Sequence, residues 1–221
     1  MNKMTMIAGA VALAVSGAAQ AGMLLEEMQM NTIDLANTDW DESVSVNQFD
    51  DMGGLRILEQ VMVTLDGTVE GTAQAESMDA APATISLSLG ATITLSLMGD
   101  ELAVVLPVAM ETFEADIFDG DLDFMGPSGM TFAGLMADDS DMSTLTSGMD
   151  DLSAWIGGGS VKLDAAAMGA SSGTGAGNLF LQFETLASAK ITVIYKYTVI
   201  PTPGSFALLG IAGLCATRRN R

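Results

Sequence analysis

Carboxylates are the side chains of this sequence with the greatest capacity for chemistry. Asp116, Asp119, Asp121 and Asp123 fall within the run DIFDGDLD, and Asp138, Asp139 and Asp141 within DDSD. Several oxygen ligands on one loop are what calcium prefers, so the first run offers a candidate cation site. Neither run fits the twelve-residue EF-hand pattern, which needs a bidentate Glu at its end, and a solvated acidic turn accounts for both more simply. Paired carboxylates also serve glycosidases, but only when held roughly 5 to 9.5 Å apart across a cleft. Spacing in the chain does not fix that distance.

Other chemistries lack their residues. The chain has no His, and its one Cys, Cys215, lies in an apolar segment near the end. A Ser-His-Asp triad, a Cys-His pair, a His-ligated zinc or copper site and a Cys-rich iron–sulfur site are therefore excluded, as is an internal disulfide. No cofactor is indicated. The 17 methionines are spread singly, apart from the close pair Met28 and Met30, which reads as core filling or surface rather than as a soft-metal site. The Gly-rich segment GASSGTGAG, residues 169–177, lacks the Gly-Lys-Ser/Thr ending of a phosphate loop and is expected to be a flexible connection.

The acidic residues are also a bulk property. The chain carries 28 Asp and Glu against 8 Lys and Arg, a net charge of −20. Lys3 and Arg218, Arg219 and Arg221 lie at the extremities. Residues 22–200 thus keep only Arg56, Lys162, Lys190 and Lys196 against all 28 acids, or −24. Such a surface repels phosphate backbones, so nucleic acid is not an expected partner.

What positions these groups is expected to be an all-β, two-sheet antiparallel sandwich. In TISLSLGATITLSL, Ile85, Leu87, Leu89, Ala91, Ile93, Leu95 and Leu97 alternate with Ser, Thr and Gly90, which places all the apolar side chains on one face of a strand. Gly90 marks a bulge or bend. A second alternation runs through Leu179, Leu181 and Phe183 to Ile191, Val193, Tyr195 and Val199. Further strands are expected at 42–48, 55–65, 68–75, 102–113, 130–135 and 161–167, separated by turns at Asp66-Gly67, Gly99-Asp100, Asp119-Gly120, Gly126-Pro127 and 157–159.

The two ends carry address signals. Residues 1–21, MNKMTMIAGAVALAVSGAAQA, give a positive start at Lys3, an apolar run and the small residues Ala19 and Ala21. This is the pattern of a secretory signal peptide and signal helix, cleaved between Ala21 and Gly22 by signal peptidase. At the other end, Pro201, Thr202, Pro203 and Gly204 precede an apolar stretch, 206–216, and the arginines of the last four positions. A helix over 204–217 spans about 21 Å, short of the roughly 30 Å hydrocarbon core, and suits a temporary hold with the arginines kept cytoplasmic.

This tail resembles the PEP-CTERM sorting signal, with Thr202 where that family's name-giving Glu stands. The resemblance implies processing by an exosortase-like enzyme after transient inner-membrane anchoring, and delivery to the cell surface or an exopolysaccharide matrix. The body of the chain resembles the choice-of-anchor E domain, on Phe49-Asp50, Gly54-Leu55, Gly67, Gly71, Ala73, Glu76, Ala83-Thr84 and Gly90. The likeness continues through 105–108, 118–120 and the strand ITVIYKY. It implies an exported, β-rich module and no catalytic residues. The expected organisation is a signal peptide at 1–21, a lead-in at 22–39, the β-sandwich at 40–198 and the sorting tail at 199–221. The expected function is a non-enzymatic structural or adhesive envelope protein, with exopolysaccharide as a surface partner. A carbohydrate-active enzyme using paired carboxylates and a calcium-dependent adhesin are the alternatives.

Overall fold

Period-two alternation governs nearly all of residues 23–200, the part of the chain described by a computed structural model. Ten strands follow one another: β1 (Leu25–Asn37), β2 (Trp40–Asn47), β3 (Arg56–Ser77), β4 (Ala83–Leu97), β5 (Asp100–Val105), β6 (Val108–Ala115), β7 (Gly129–Thr146), β8 (Ser160–Gly169), β9 (Ser172–Thr174) and β10 (Leu179–Val199). Among the described residues the helical element is one 3₁₀ turn, Ser153–Trp155, too short to cross a membrane. The expected signal and tail helices, with Ala19, Ala21, Gly22, Pro201, Thr202, Pro203, Gly204, Arg218, Arg219 and Arg221, lie outside the described residues.

The strands form two antiparallel sheets, as the alternation predicts. The first has the order β1-β10-β3-β7; the second has the order β2-β8-β4-β5, with β6 and β9 also paired to β4. Their facing sides meet in a core where Val61, Val63, Leu65 and Val69 of β3 and Ile191, Val193 and Tyr195 of β10 oppose Leu89, Ile93 and Leu95 of β4 and Leu163 of β8. Burying each such aliphatic side chain contributes about 1.5–3 kcal/mol. A smaller cluster of Ala73, Ala75, Ile85, Leu87, Phe113 and Ala115 fills the end beyond Gly71 and Gly90.

Gly90, expected as a bulge or bend, stands within the continuous strand β4 at the point where its partners change. On one side of β4 the partner changes there from β5 to β6, on the other from β8 to β9. Pro107 has no N–H to give to the ladder, but its carbonyl accepts the Ala91 N–H at 3.2 Å, and the Gly90 carbonyl accepts from Ala170 at 2.8 Å. The expected strand 102–113 is thus two strands, divided at Leu106-Pro107.

Other boundaries differ for equally local reasons. The expected turn at Asp66-Gly67 is the middle of β3, which runs 22 residues without interruption. A Cβ on Gly67 would stand 2.5 Å from Val105 Cγ2 and 2.8 Å from Ile93 Cδ1, so this glycine lets the two sheets approach. Residues 22–39, expected as a lead-in, contain β1, which pairs with β10 from Leu25 opposite Tyr197 to Asn37 opposite Leu186. The expected loop 169–177 includes β9, bonded to Ser86, Leu87 and Ser88 of β4. β7 extends well past the expected 130–135, through DDSD to Thr146.

Candidate functional site

The extension of β7 relocates the DDSD carboxylates. They stand on an edge strand of the first sheet rather than on a solvated turn. Successive side chains alternate between the two faces of a strand, so Asp139 and Asp141 turn toward the second sheet while Asp138 and Ser140 stay on the outer face. The free edge of β5 lies alongside. Asp141 Oδ2 accepts the Val104 N–H at 3.0 Å, and Asp139 Oδ2 accepts the Leu106 N–H at 2.8 Å. These carboxylates occupy the backbone donors that an open strand edge would otherwise offer to another chain.

The opposite seam is closed by amides. Gln29 of β1 donates to the Asn47 carbonyl at 2.9 Å and accepts the Asn47 N–H at 2.7 Å, and Asn31 donates to the Ser45 carbonyl at 2.8 Å. One side-chain amide thus imitates a neighbouring strand for β2. The Tyr195 hydroxyl also donates to the Asn47 carbonyl at 2.8 Å, and burial first, then the charge of Glu27, raises its pKa well above the ordinary phenol value.

The run DIFDGDLD lies where expected, on the connection between β6 and β7, at the end of the sandwich remote from Leu25 and Val199. Its carboxylates serve the loop itself. Asp116 accepts from Ile117 N at 2.8 Å, Asp119 from Asp121 N at 3.0 Å and Asp123 from Met125 N at 2.9 Å. These are the local turns that Asp side chains favour. Among the described residues no group of three or more Asp or Glu side chains is arranged to hold a metal ion.

The loop is held down by Glu76, fully buried near the end of β3. Its Oε2 accepts the Phe124 N–H at 2.7 Å and its Oε1 accepts the Ser128 hydroxyl at 2.6 Å. A buried carboxylate survives when its lone pairs are occupied in this way. At the other end of β3 stands the opposite charge. The Arg56 guanidinium lies 3.9 Å from the Tyr197 ring centroid and 4.4 Å from that of Phe49. It also bonds the Asp50 carbonyl and Glu27, each at 2.9 Å, with 10% of its side chain exposed. Sequence reasoning assigned neither residue a role. The available signals were that Arg56 is one of four basic residues within 22–200 and that Glu76 follows the alternating small residues Gly71, Ala73 and Ala75.

One depression of about 860 Å³ crosses the outer face of the first sheet, beside the irregularity in β1 between Ile33 and Ala36. Thr32, Lys190, Asp66 and Ser140 form a row across all four strands, and Ser188, Thr68 and Asp138 form the next. Lys190 pairs with Asp66 at 2.8 Å, Ser140 donates to Asp66 at 2.7 Å, and Thr68 bonds Asp138. The Lys190 and Ser140 hydrogen bonds hold the Asp66 carboxyl below the usual carboxylate range. That direction is opposite to what a glycosidase general acid requires. The surface offers hydroxyls and carboxylates, with no aromatic ring among its lining residues on which a sugar could stack.

No family model matches the chain, and no curated protein matches it. Among solved structures, those of infectious bursal disease virus of the Gt and Gx strains align at 14% and 13% identity with TM-scores of 0.12 and 0.14. The alignments cover 89% of this chain in each case, and 47% and 46% of the viral chains, so the chain spans about half their length. Overlap this low bears on neither fold nor function.

Proposed function

We infer that the chain is an exported envelope protein whose β-sandwich is a non-enzymatic structural or adhesive module. It is sorted through its C-terminal tail to the cell surface or an exopolysaccharide matrix. Its processing partners are signal peptidase and an exosortase-like enzyme, and its membrane contact is the tail helix. The observation carrying this reading is that both flanking segments leave from one end of the sandwich. Leu25 pairs with Tyr197, and the Ile200 N–H bonds the Leu55 carbonyl at 2.9 Å.

With both leader and tail at one end, the opposite end faces outward while the tail holds the membrane. Leu55, Ile57 and Ile200, each more than 40% exposed, surround the point of exit and tolerate an apolar neighbour there. The acidic loop 116–128 is then the distal tip. A module of this kind needs a closed, non-aggregating scaffold, and both strand seams described above supply one.

Cell fractionation of the native host tests the reading. The full chain is expected in the envelope, and a chain stopped after Ile200 is expected free in the periplasm or medium. The same location for both, or retention of both in the cytoplasm, would contradict it.

A further inference from the structure

Methionine is among the residues most often buried, because its flexible thioether fills irregular gaps in a core. Here the distribution is reversed. Of the 14 methionines within residues 23–200, none belongs to the buried core, twelve are exposed, and Met62 and Met78 are half-buried. Met98, Met110 and Met149 are 82%, 74% and 89% exposed. The core is packed instead with Val, Leu, Ile, Ala and aromatic side chains.

Some of these methionines share a surface. On the outer face of the first sheet, Met28, Ile194 and Met62 stand in one cross-strand row, and Met30, Thr192, Thr64 and Met142 in the next. Competing nucleophiles are fewer than the twelve exposed methionines: the chain has no His, its lone Cys lies in the tail, Trp155 and Tyr195 are fully buried, Trp40 and Tyr197 are half-buried, and Lys162, Lys190 and Lys196 are the lysines of residues 23–200.

We propose that the exposed methionines are an oxygen-accepting array, modified by hypochlorous acid or hydrogen peroxide to sulfoxides that the fold tolerates. The thioether sulfur is the nucleophile, attacking chlorine of hypochlorous acid or an oxygen of peroxide. With hypochlorous acid the S–Cl bond forms as O–Cl breaks and hydroxide leaves. Water then adds to the chlorosulfonium, S–Cl breaks, chloride leaves, and of the two protons released one neutralises the hydroxide and one passes to water. Sulfur loses two electrons and chlorine gains two. With peroxide the O–O bond breaks and water is the product. A sulfoxide is polar, and its formation disrupts a protein when the methionine belongs to a core. Here each exposed sulfur gains its oxygen in water, and no packing contact of the core is lost. On the outer face, the same change turns an apolar patch polar.

The purified protein treated with hypochlorous acid in molar excess over methionine provides the test, read by peptide mapping and thermal melting. About twelve sulfoxides per chain are expected, with Met62 and Met78 modified last. The transition should stay cooperative and move by less than about 3 °C. A triple Met28→Leu, Met30→Leu and Met142→Leu variant should take up a quarter less oxygen, three of twelve acceptors being removed, with unchanged melting. Loss of the cooperative transition before half the exposed methionines are modified would overturn the proposal. So would uptake unchanged in the variant, or chlorination of Tyr195 ahead of methionine.

Discussion

β3 begins with a buried cation and ends with a buried anion, and its two ends solve the same problem in different ways. At the chain-exit end, Arg56 lies between aromatic faces and reaches a backbone carbonyl and Glu27 at the rim. At the distal end, Glu76 is sealed from solvent and reaches an N–H and a hydroxyl of the loop above it. The first charge keeps part of its hydration and a counter-ion. The second depends wholly on two hydrogen bonds. A loop secured by a sealed charge is held more rigidly and is more sensitive to loss of that charge.

Substitution at the distal end should therefore have the largest effect. Glu76→Ala leaves the Phe124 N–H and the Ser128 hydroxyl without their acceptor and opens a cavity, at a cost of about 3 kcal/mol in denaturant unfolding. Arg56→Ala should cost about 2 kcal/mol, because water can reach part of the vacated site, and Arg56→Lys about 1 kcal/mol, since lysine keeps charge but not the planar stack. A larger loss at Arg56 than at Glu76 would reverse the comparison.

The strand edges give the next effect. Asp139→Ala frees the Leu106 N–H, just past the end of β5, which can still find water, so about 1 kcal/mol is expected. The more informative readout is light scattering on heating: a bared edge should aggregate earlier than the native chain, whereas Asp138→Ala, on the outer face, should not.

Asp66→Asn should have the smallest effect, below about 1 kcal/mol, because the Lys190 pair is solvent-exposed. Its sign with pH is fixed. The folded carboxyl titrates below its ordinary value of 3.8, so its contribution is present above that pH and is lost as pH falls through the lowered value. Melting curves of the native and Asp66→Asn chains should converge on acidification.

Much of the sandwich was legible because two sheets with one buried face write alternation directly into β4 and β10. Three features were not legible. Gly67 reads as a turn residue, and only the opposing Ile93 and Val105 reveal it as a point of close sheet contact. The polar DDSD segment of β7 has no apolar face to display, because its inward side chains bond a strand edge instead of packing. Residues 22–39 alternate apolar with polar, but Gln29 and Asn31 put amides on the inward side, where a strand pattern calls for hydrophobes.

The candidate site shows the same limit. The carboxylate runs were visible as composition, yet their tasks depend on neighbours distant in sequence. Val104 and Leu106 meet Asp141 and Asp139, while Asp116, Asp119 and Asp123 turn inward on their own loop. The positions on which the choice-of-anchor E resemblance rests have structural work to do. Phe49 and Ala73 are buried, a Cβ on Gly71 would collide with the Glu184 carbonyl, and Glu76 holds the tip.

Peptide mapping of both termini on the native protein, with its intact mass, tests the proposed export and sorting most directly. Mature molecules should begin at Gly22 and end upstream of Phe206. Mature molecules that begin at Met1 and retain Arg221 would contradict it.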